Sequence, residues 1–220
     1  MTKGMLAGVR VIDLTSVVIG PLCTQILADH GAEVIKVEPP GVGDGARLMY
    51  RSPAQAAADE PSGFFRDLNG HKASWRLDLR QTTDRDRLLE QLRSADVLIE
   101  GFRPGVMQRL GLDWPVLQAL NPRLVMASIT GYGQRGPYAL RAGHDINYIA
   151  LSGVLDQIGG PQSEDPALPN FQIADLLGGT LAAVSGLLAA LVGAQRTGQG
   201  RFVDISMTHE VWRHARSEER

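Results

Sequence analysis

The chain is 220 residues long and 44% apolar, enough for one compact core and a small second lobe. Its 22 basic and 24 acidic residues give a formal charge of −2, which argues against a nucleic-acid-binding surface. A charged fraction of 21%, with plentiful Leu, Val and Ile, excludes a disordered chain. The lone cysteine, Cys23, cannot close an internal disulfide. Asp13 interrupts the first apolar run, so no secretory segment is expected at the start. The expectation is a cytoplasmic α/β protein.

Short β-like runs alternate with longer helical ones, the pattern of a parallel α/β sheet. Val9–Leu14 reads as the first strand, followed at once by Val17–Gly20, Pro21 and a helix through about His30. Glu33–Val37 is the next strand, stopped by Pro39 and Pro40. Residues 41–66 read as one long irregular binding loop. Trp75–Leu79 is predicted as a strand, Arg80–Ser94 as a charged surface helix and Asp96–Glu100 as a strand. Short helices follow over Val106–Leu110 and Pro115–Leu120, then a strand over Arg123–Thr130. After a turn-rich stretch, His144–Leu151 reads as a short helix, 156–170 as a loop and Phe202–Ser206 as a last strand. The tail from His209 to Arg220 is polar.

Leu176–Ala194 carries no charge over nineteen residues, near the length of a membrane span. Its composition argues otherwise. Gly178, Gly179, Gly186 and Gly193, with Thr180 and Ser185, suit a helix packed closely on all sides within a protein, and no membrane is expected.

Gly41-Val-Gly43-Asp-Gly-Ala46 fits the letters of a dinucleotide fingerprint, but two prolines separate it from its strand and that strand is the second, so it reads as a flexible loop. Cys23 reads as a small buried hydrophobe. His209 and His214 are five apart, which misses the helical i,i+4 metal geometry, so no metal site is expected. His144 and Asp175 are the acid–base candidates, although each also fits a helix-capping role. Arg103, just past a strand, and Lys36 could each hold an anion or simply sit in solvent.

Taken in order, these segments resemble the class III coenzyme A transferase family (CaiB/BaiF type), and within it the α-methylacyl-CoA racemase branch. The resemblance rests on Leu6–Leu14, Gly20-Pro21, Leu27–Glu38, Asp96–Val106, Gly131-Tyr-Gly133, Gly136-Pro137, Ile173–Leu176, Arg196–Gly200 and Val203–Met207, and covers about residues 6 to 208. It implies an open, mainly parallel Rossmann-like sheet with helices on both faces. It implies no tightly bound cofactor: coenzyme A enters as part of an acyl-CoA thioester substrate.

The Gly143–Tyr148 segment resembles the racemase branch, whose histidine at the place of His144 is one of two proton carriers. The residue matching Asp175 is the second acid/base in racemases and the acyl-accepting nucleophile in transferases. Lys36, Lys72 and Arg103 match positions near the CoA phosphates and pantetheine, Gly20 and Pro21 line the thioester end, and Gly131 and Tyr132 lie in a loop beside the site. The backbone N–H of Asp145 would face the enolate oxygen.

The family pattern continues beyond Met207 into a second domain and pairs two chains as interlocked rings. An N-terminal CoA-binding domain is therefore expected over 1–195, with 196–220 starting a linker and ending in a divergent tail. A C-terminally truncated chain, a doubtful dimer and loss of the acid that assists His144 are part of that expectation. So is a third reading beside racemase and transferase, a non-catalytic CoA-binding or partner chain.

Overall fold

Arg10–Leu14 (β1), Glu33–Glu38 (β2), Ala73–Arg76 (β3), Val97–Glu100 (β4), Val125–Thr130 (β5) and Phe202–Ser206 (β6) are rich in β-branched and apolar residues, and each pairs in parallel with its neighbours. In the computed structural model, which describes residues 4–158 and 165–215, they form one six-stranded sheet in the order β3-β2-β1-β4-β5-β6. This is the doubly wound arrangement, all parallel rather than mainly parallel. Near-continuous apolar runs such as Val125–Thr130 are what a sheet covered on both faces requires.

Alternate side chains of the strands feed two separate cores. On one face Val11, Ile99, Ala127 and Ile205 pack with Cys23 and Leu27 of helix α1 (Ile19–Asp29) and with Leu187 and Leu191 of a long C-terminal helix. On the other face Ile12, Leu98 and Met126 pack with Leu88 and Leu92 of helix α4 (Thr82–Leu92) and Leu117 of helix α6 (Trp114–Leu120). Cys23 is fully buried, as expected, and burial followed by the Asp13 charge pushes its thiol pKa far up.

Several expectations need correction. The stretch 41–66 is not one irregular loop. It holds a 3₁₀ turn at Gly45–Arg47, helix α2 (Pro53–Ala57) and the start of helix α3 (Gly63–Asn69). Ser52 and Gln55 close a reciprocal capping box at α2, and Ser62 caps α3 by accepting from the Phe65 N–H at 3.0 Å. Strand β3 begins two residues earlier than predicted and ends at Arg76, where Asp78 turns the chain by donating its N–H to Asp84. Helix α5 (Val106–Arg109) and α6 fall where predicted. Of the loop expected over 156–170, the first residues belong to helix α8 (Val154–Ile158), and 159–164 lie outside the described residues.

The long apolar helix is not buried all round. It opens as a π-helical segment, Ala174–Leu181, and continues as α9 (Ala182–Thr197). Ala183, Leu187, Leu191 and Ala194 face the sheet, whereas Leu181 and Val192 are about half exposed. It is long and apolar enough to cross a membrane by composition, yet its buried face packs on β5 and β6.

The polar tail begins within a helix. Ser206 accepts from the His209 N–H and starts helix α10 (Met207–Arg213), which packs against the π-helical segment. Beyond the expected boundary at 195/196, β6 pairs with β5 and α10 packs on the π-helical segment.

Gly200 shows how tightly that last strand enters. Its N–H donates to Pro122 O at 2.7 Å, and a Cβ there would lie 1.8 Å from Leu124 O. Gly200→Ala is expected to destabilise the protein by about 1–3 kcal/mol through this backbone clash, read as a lower denaturant midpoint.

Candidate active site

The chain order reverses between β1 and β4, so the loops after these strands diverge and leave a crevice at the carboxyl ends. Two cavities occupy it. The smaller, about 310 Å³, is walled by Gly20, Arg103, Gly131, Arg141, His144 and Tyr148 among others. The larger, about 630 Å³, is walled by Pro39, Pro40, Leu77, Arg80 and Leu110. Leu14, Thr15, Ser16 and Phe102 line both, so the two cavities share a wall.

His144 immediately precedes helix α7 (Asp145–Leu151), and its N–H donates to the Asn147 side chain at 2.9 Å. The histidine is thereby held at the cavity wall. Gly131 and Gly143 are required there. A Cβ on Gly131 would lie 2.3 Å from the Tyr148 ring, and one on Gly143 would lie 2.7 Å from both the Tyr132 hydroxyl and that ring. Tyr148 donates to Gly143 O, and Tyr132 meets its ring edge to face at 5.2 Å. Burial, then the neighbouring Tyr132 and Asp175, push the Tyr148 hydroxyl up to about 12.

Asp175 lies in the first turn of the π-helical segment and is not among the residues that line the cavity. Its backbone N–H donates to Asp145 Oδ1 at 3.0 Å, and Gln172 donates its side-chain amide to Asp175 Oδ2 at 2.9 Å. Oδ1 is buried with no partner. Burial, followed by the charge of Asp145, raises the Asp175 carboxyl to about 6, with His144 opposing the shift. The two acid–base candidates are therefore electrostatic neighbours, joined through Asp145 at the head of α7. Among the described residues the Asp145 N–H has no acceptor, as a site for a developing oxyanion requires.

The remaining predicted residues divide. Gly20 lines the cavity, and a Cβ there would lie 2.2 Å from Thr15; Pro21 is buried, and its carbonyl accepts from Lys72 at 2.7 Å. Arg103 is exposed, makes no ion pair among the described residues and lines both the smaller cavity and a neighbouring one of about 550 Å³. Lys36 and Lys72 are a correction. Each side chain is only 1% exposed, with Lys36 paired to Asp44 at 2.9 Å and Lys72 to Asp13 at 3.4 Å. Neither ammonium is presented to a ligand. Burial, with Lys36 adding to it, lowers Lys72 to about 8 against the pull of Asp13. No group of His, Cys, Asp and Glu among the described residues is arranged to hold a metal ion.

The model for CoA-transferase family III matches residues 6–218. The chain belongs to this family. It is 42% identical over 205 residues to the acetyl-CoA:oxalate CoA-transferase of Acetobacter aceti, covering 93% of this chain and 51% of that one. It is 39% identical to the human α-methylacyl-CoA racemase, over 92% of this chain and 48% of that one. A CaiB/BaiF family crystal structure from Brucella suis superposes with a TM-score of 0.84 at 34% identity, over 94% of this chain and 54% of the other. The chain spans about half the length of the curated relatives it matches.

Sequence reasoning missed Arg141, Gln172 and Glu100. Arg141 stacks on Tyr138 at 4.6 Å and lines the smaller cavity. Glu100 is buried at the end of β4, and burial followed by the Asp204 charge raises it to about 7, although the Phe102 N–H opposes this. The only local signal for Gln172 was its place three residues before Asp175.

Because the folded Asp175 keeps a proton that the unfolded chain loses at lower pH, the group removes stability as pH rises between about 4 and 6. Asp175→Asn is expected to melt higher than the parent at pH 7, with the gap closing below pH 4. A constant gap across that range would mean that the carboxyl does not titrate as described.

Proposed function

We propose that this protein acts on acyl-CoA thioesters and moves the proton on the carbon next to the thioester carbonyl, inverting 2-methylacyl-CoA substrates. One observation carries the reading. A buried carboxyl at Asp175, raised to about 6 and with Oδ1 free, stands in electrostatic reach of His144 on the cavity wall. A group that both takes and gives a proton near neutral pH works best with such a value.

In this reading the nucleotide end of CoA lies in the larger cavity, against Pro39, Leu77 and Leu110 with Arg80 at its edge. The pantetheine crosses Ser16 and Phe102, which both cavities share, and brings the thioester to Gly20 and Gly131. Arg103 faces the anionic part of the ligand. The Asp145 N–H stabilises the enolate oxygen. One of His144 and Asp175 removes the α-proton as the C–H electron pair moves into the enolate, and the other returns a proton on the opposite face.

The α-carbon of a chiral 2-methylacyl-CoA is expected to acquire deuterium from D₂O as its configuration inverts. His144→Asn should slow inversion by roughly 10²-fold or more, leaving isotope exchange only in the enantiomer that faces Asp175. The absence of both exchange and inversion at high enzyme concentration would rule the reading out.

The free Oδ1 of Asp175 favours a second reading, CoA transfer through an acyl-aspartyl anhydride, and the 42% identical relative is named a CoA-transferase. There the carboxylate oxygen attacks the thioester carbon and CoA leaves as the thiolate. Hydroxylamine would then convert Asp175 to a hydroxamate during turnover, detectable by peptide mass spectrometry. An active enzyme that leaves Asp175 unmodified would exclude this route.

A further inference from the structure

The loop joining β1 to α1 carries backbone strain. Val17 has φ +69°, a left-handed conformation that a β-branched residue adopts only when its surroundings impose it. Those surroundings are built from buried charge. Both carboxylate oxygens of Asp44 accept the Val17 N–H, at 3.1 and 3.2 Å. Lys36 pairs with Asp44 Oδ2 at 2.9 Å and donates to Thr15 O at 2.8 Å, so one ion pair grips the loop on both sides of Ser16.

A second pair anchors the first. Glu38 accepts from the Asp44 N–H at 2.9 Å and from Arg47 at 2.6 and 2.7 Å. Burial raises the Glu38 carboxyl, yet the Arg47 and Asp44 hydrogen bonds prevail and hold it near 2, so it stays charged. Gly43 has φ +79° and passes so close that a Cβ would lie 2.5 Å from Glu38 Oε2. Thus Lys36-Val-Glu38 of β2 is doubly cross-linked to Gly43-Asp44-Gly-Ala-Arg47, the segment read from sequence as a flexible loop.

We propose that Lys36 and Asp44 are positioning residues, a charge clamp that holds Thr15–Val17 in its strained shape so that Thr15 and Ser16 form the shared wall of the two cavities. The clamp's service to a ligand rests on the acyl-CoA reading; its effect on Val17 does not.

The test uses the full 220-residue chain with Lys36→Met and Asp44→Leu together, since replacing a buried ion pair by apolar residues of similar volume commonly preserves stability. CoA affinity by titration calorimetry is expected to fall at least tenfold. Adding Val17→Gly, which takes a positive φ without enforcement, is expected to restore it to within threefold of the parent. Unchanged affinity in the folded double variant, or a loss that Val17→Gly does not recover, overturns the proposal.

Val17→Gly alone covers the case in which the double variant fails to fold. It is expected to keep CoA affinity within twofold of the parent and to melt above Val17→Ala, since both lose the valine side chain and only glycine takes the positive φ freely. A Val17→Gly melt at or below that of Val17→Ala would show that no strain is stored and would overturn the proposal. A parent chain that binds no CoA would defeat the acyl-CoA reading, and the Val17→Gly melt would still decide the clamp.

Discussion

The site depends on one topological constraint, the reversal of strand order between β1 and β4. From β1 the chain runs outward to β2 and β3 on one side, and from β4 to β5 and β6 on the other. The loops after β1 and β4 cannot follow a common direction, and the gap between them is the crevice that Leu14, Thr15, Ser16 and Phe102 share between its two cavities. Residues far apart in sequence meet there only because the sheet is wound this way. Gly20 and Arg103 line the same cavity as Gly131 and His144.

Burying charge beside that crevice is costly, and the protein answers the cost in two ways. Asp13 is wholly buried yet stays ionised: burial pushes its carboxyl up, but Lys36, Lys72 and the Thr15 and Thr24 hydroxyls together hold it below its ordinary value. Asp175 is treated oppositely. It has one amide partner, an acidic neighbour and a bare oxygen, so its carboxyl rises instead. The first arrangement fixes a structure. The second leaves a group whose proton is easily exchanged, at the expense of stability, which is the usual trade at a reactive centre.

How much of this was legible in the sequence follows from the range of each interaction. The strands were readable because their apolar runs are local, and β6 fell on the predicted residues. The caps Ser52 with Gln55, and Ser62, were equally local, but the Gly and Ala content of 41–66 obscured them. His144 and Asp175 could be named as candidates from their positions at helix starts, whereas Gln172 and Asp145 matter through contacts that only the fold creates. Lys36 and Lys72 were misread for a physical reason. A lysine within a strand, like Lys36, or just before one, like Lys72, looks the same in sequence whether its partner is solvent, a ligand or a buried aspartate. The partners here, Asp44 and Asp13, are 8 and 59 residues away.

Small residues decide how closely the neighbouring helices approach the segment that carries Asp175. A Cβ on Gly178 would lie 2.6 Å from Met207 O, and one on Gly179 would lie 2.4 Å from Ile19. Their absence of side chains lets α1 and α10 close on the π-helical segment from two directions. Thr180 adds a hydrogen bond to Ile19 O at 2.9 Å, and Thr208 ties α10 to Gly131 O at 2.8 Å. The same α10 that seats the Asp175 segment thus also holds the glycine loop of the cavity wall. At the head of the π-helical segment the Asp175 N–H meets Asp145 of α7. The glycines read at first as evidence against a membrane span therefore have a second meaning: they let α1 and α10 pack against the segment that carries Asp175.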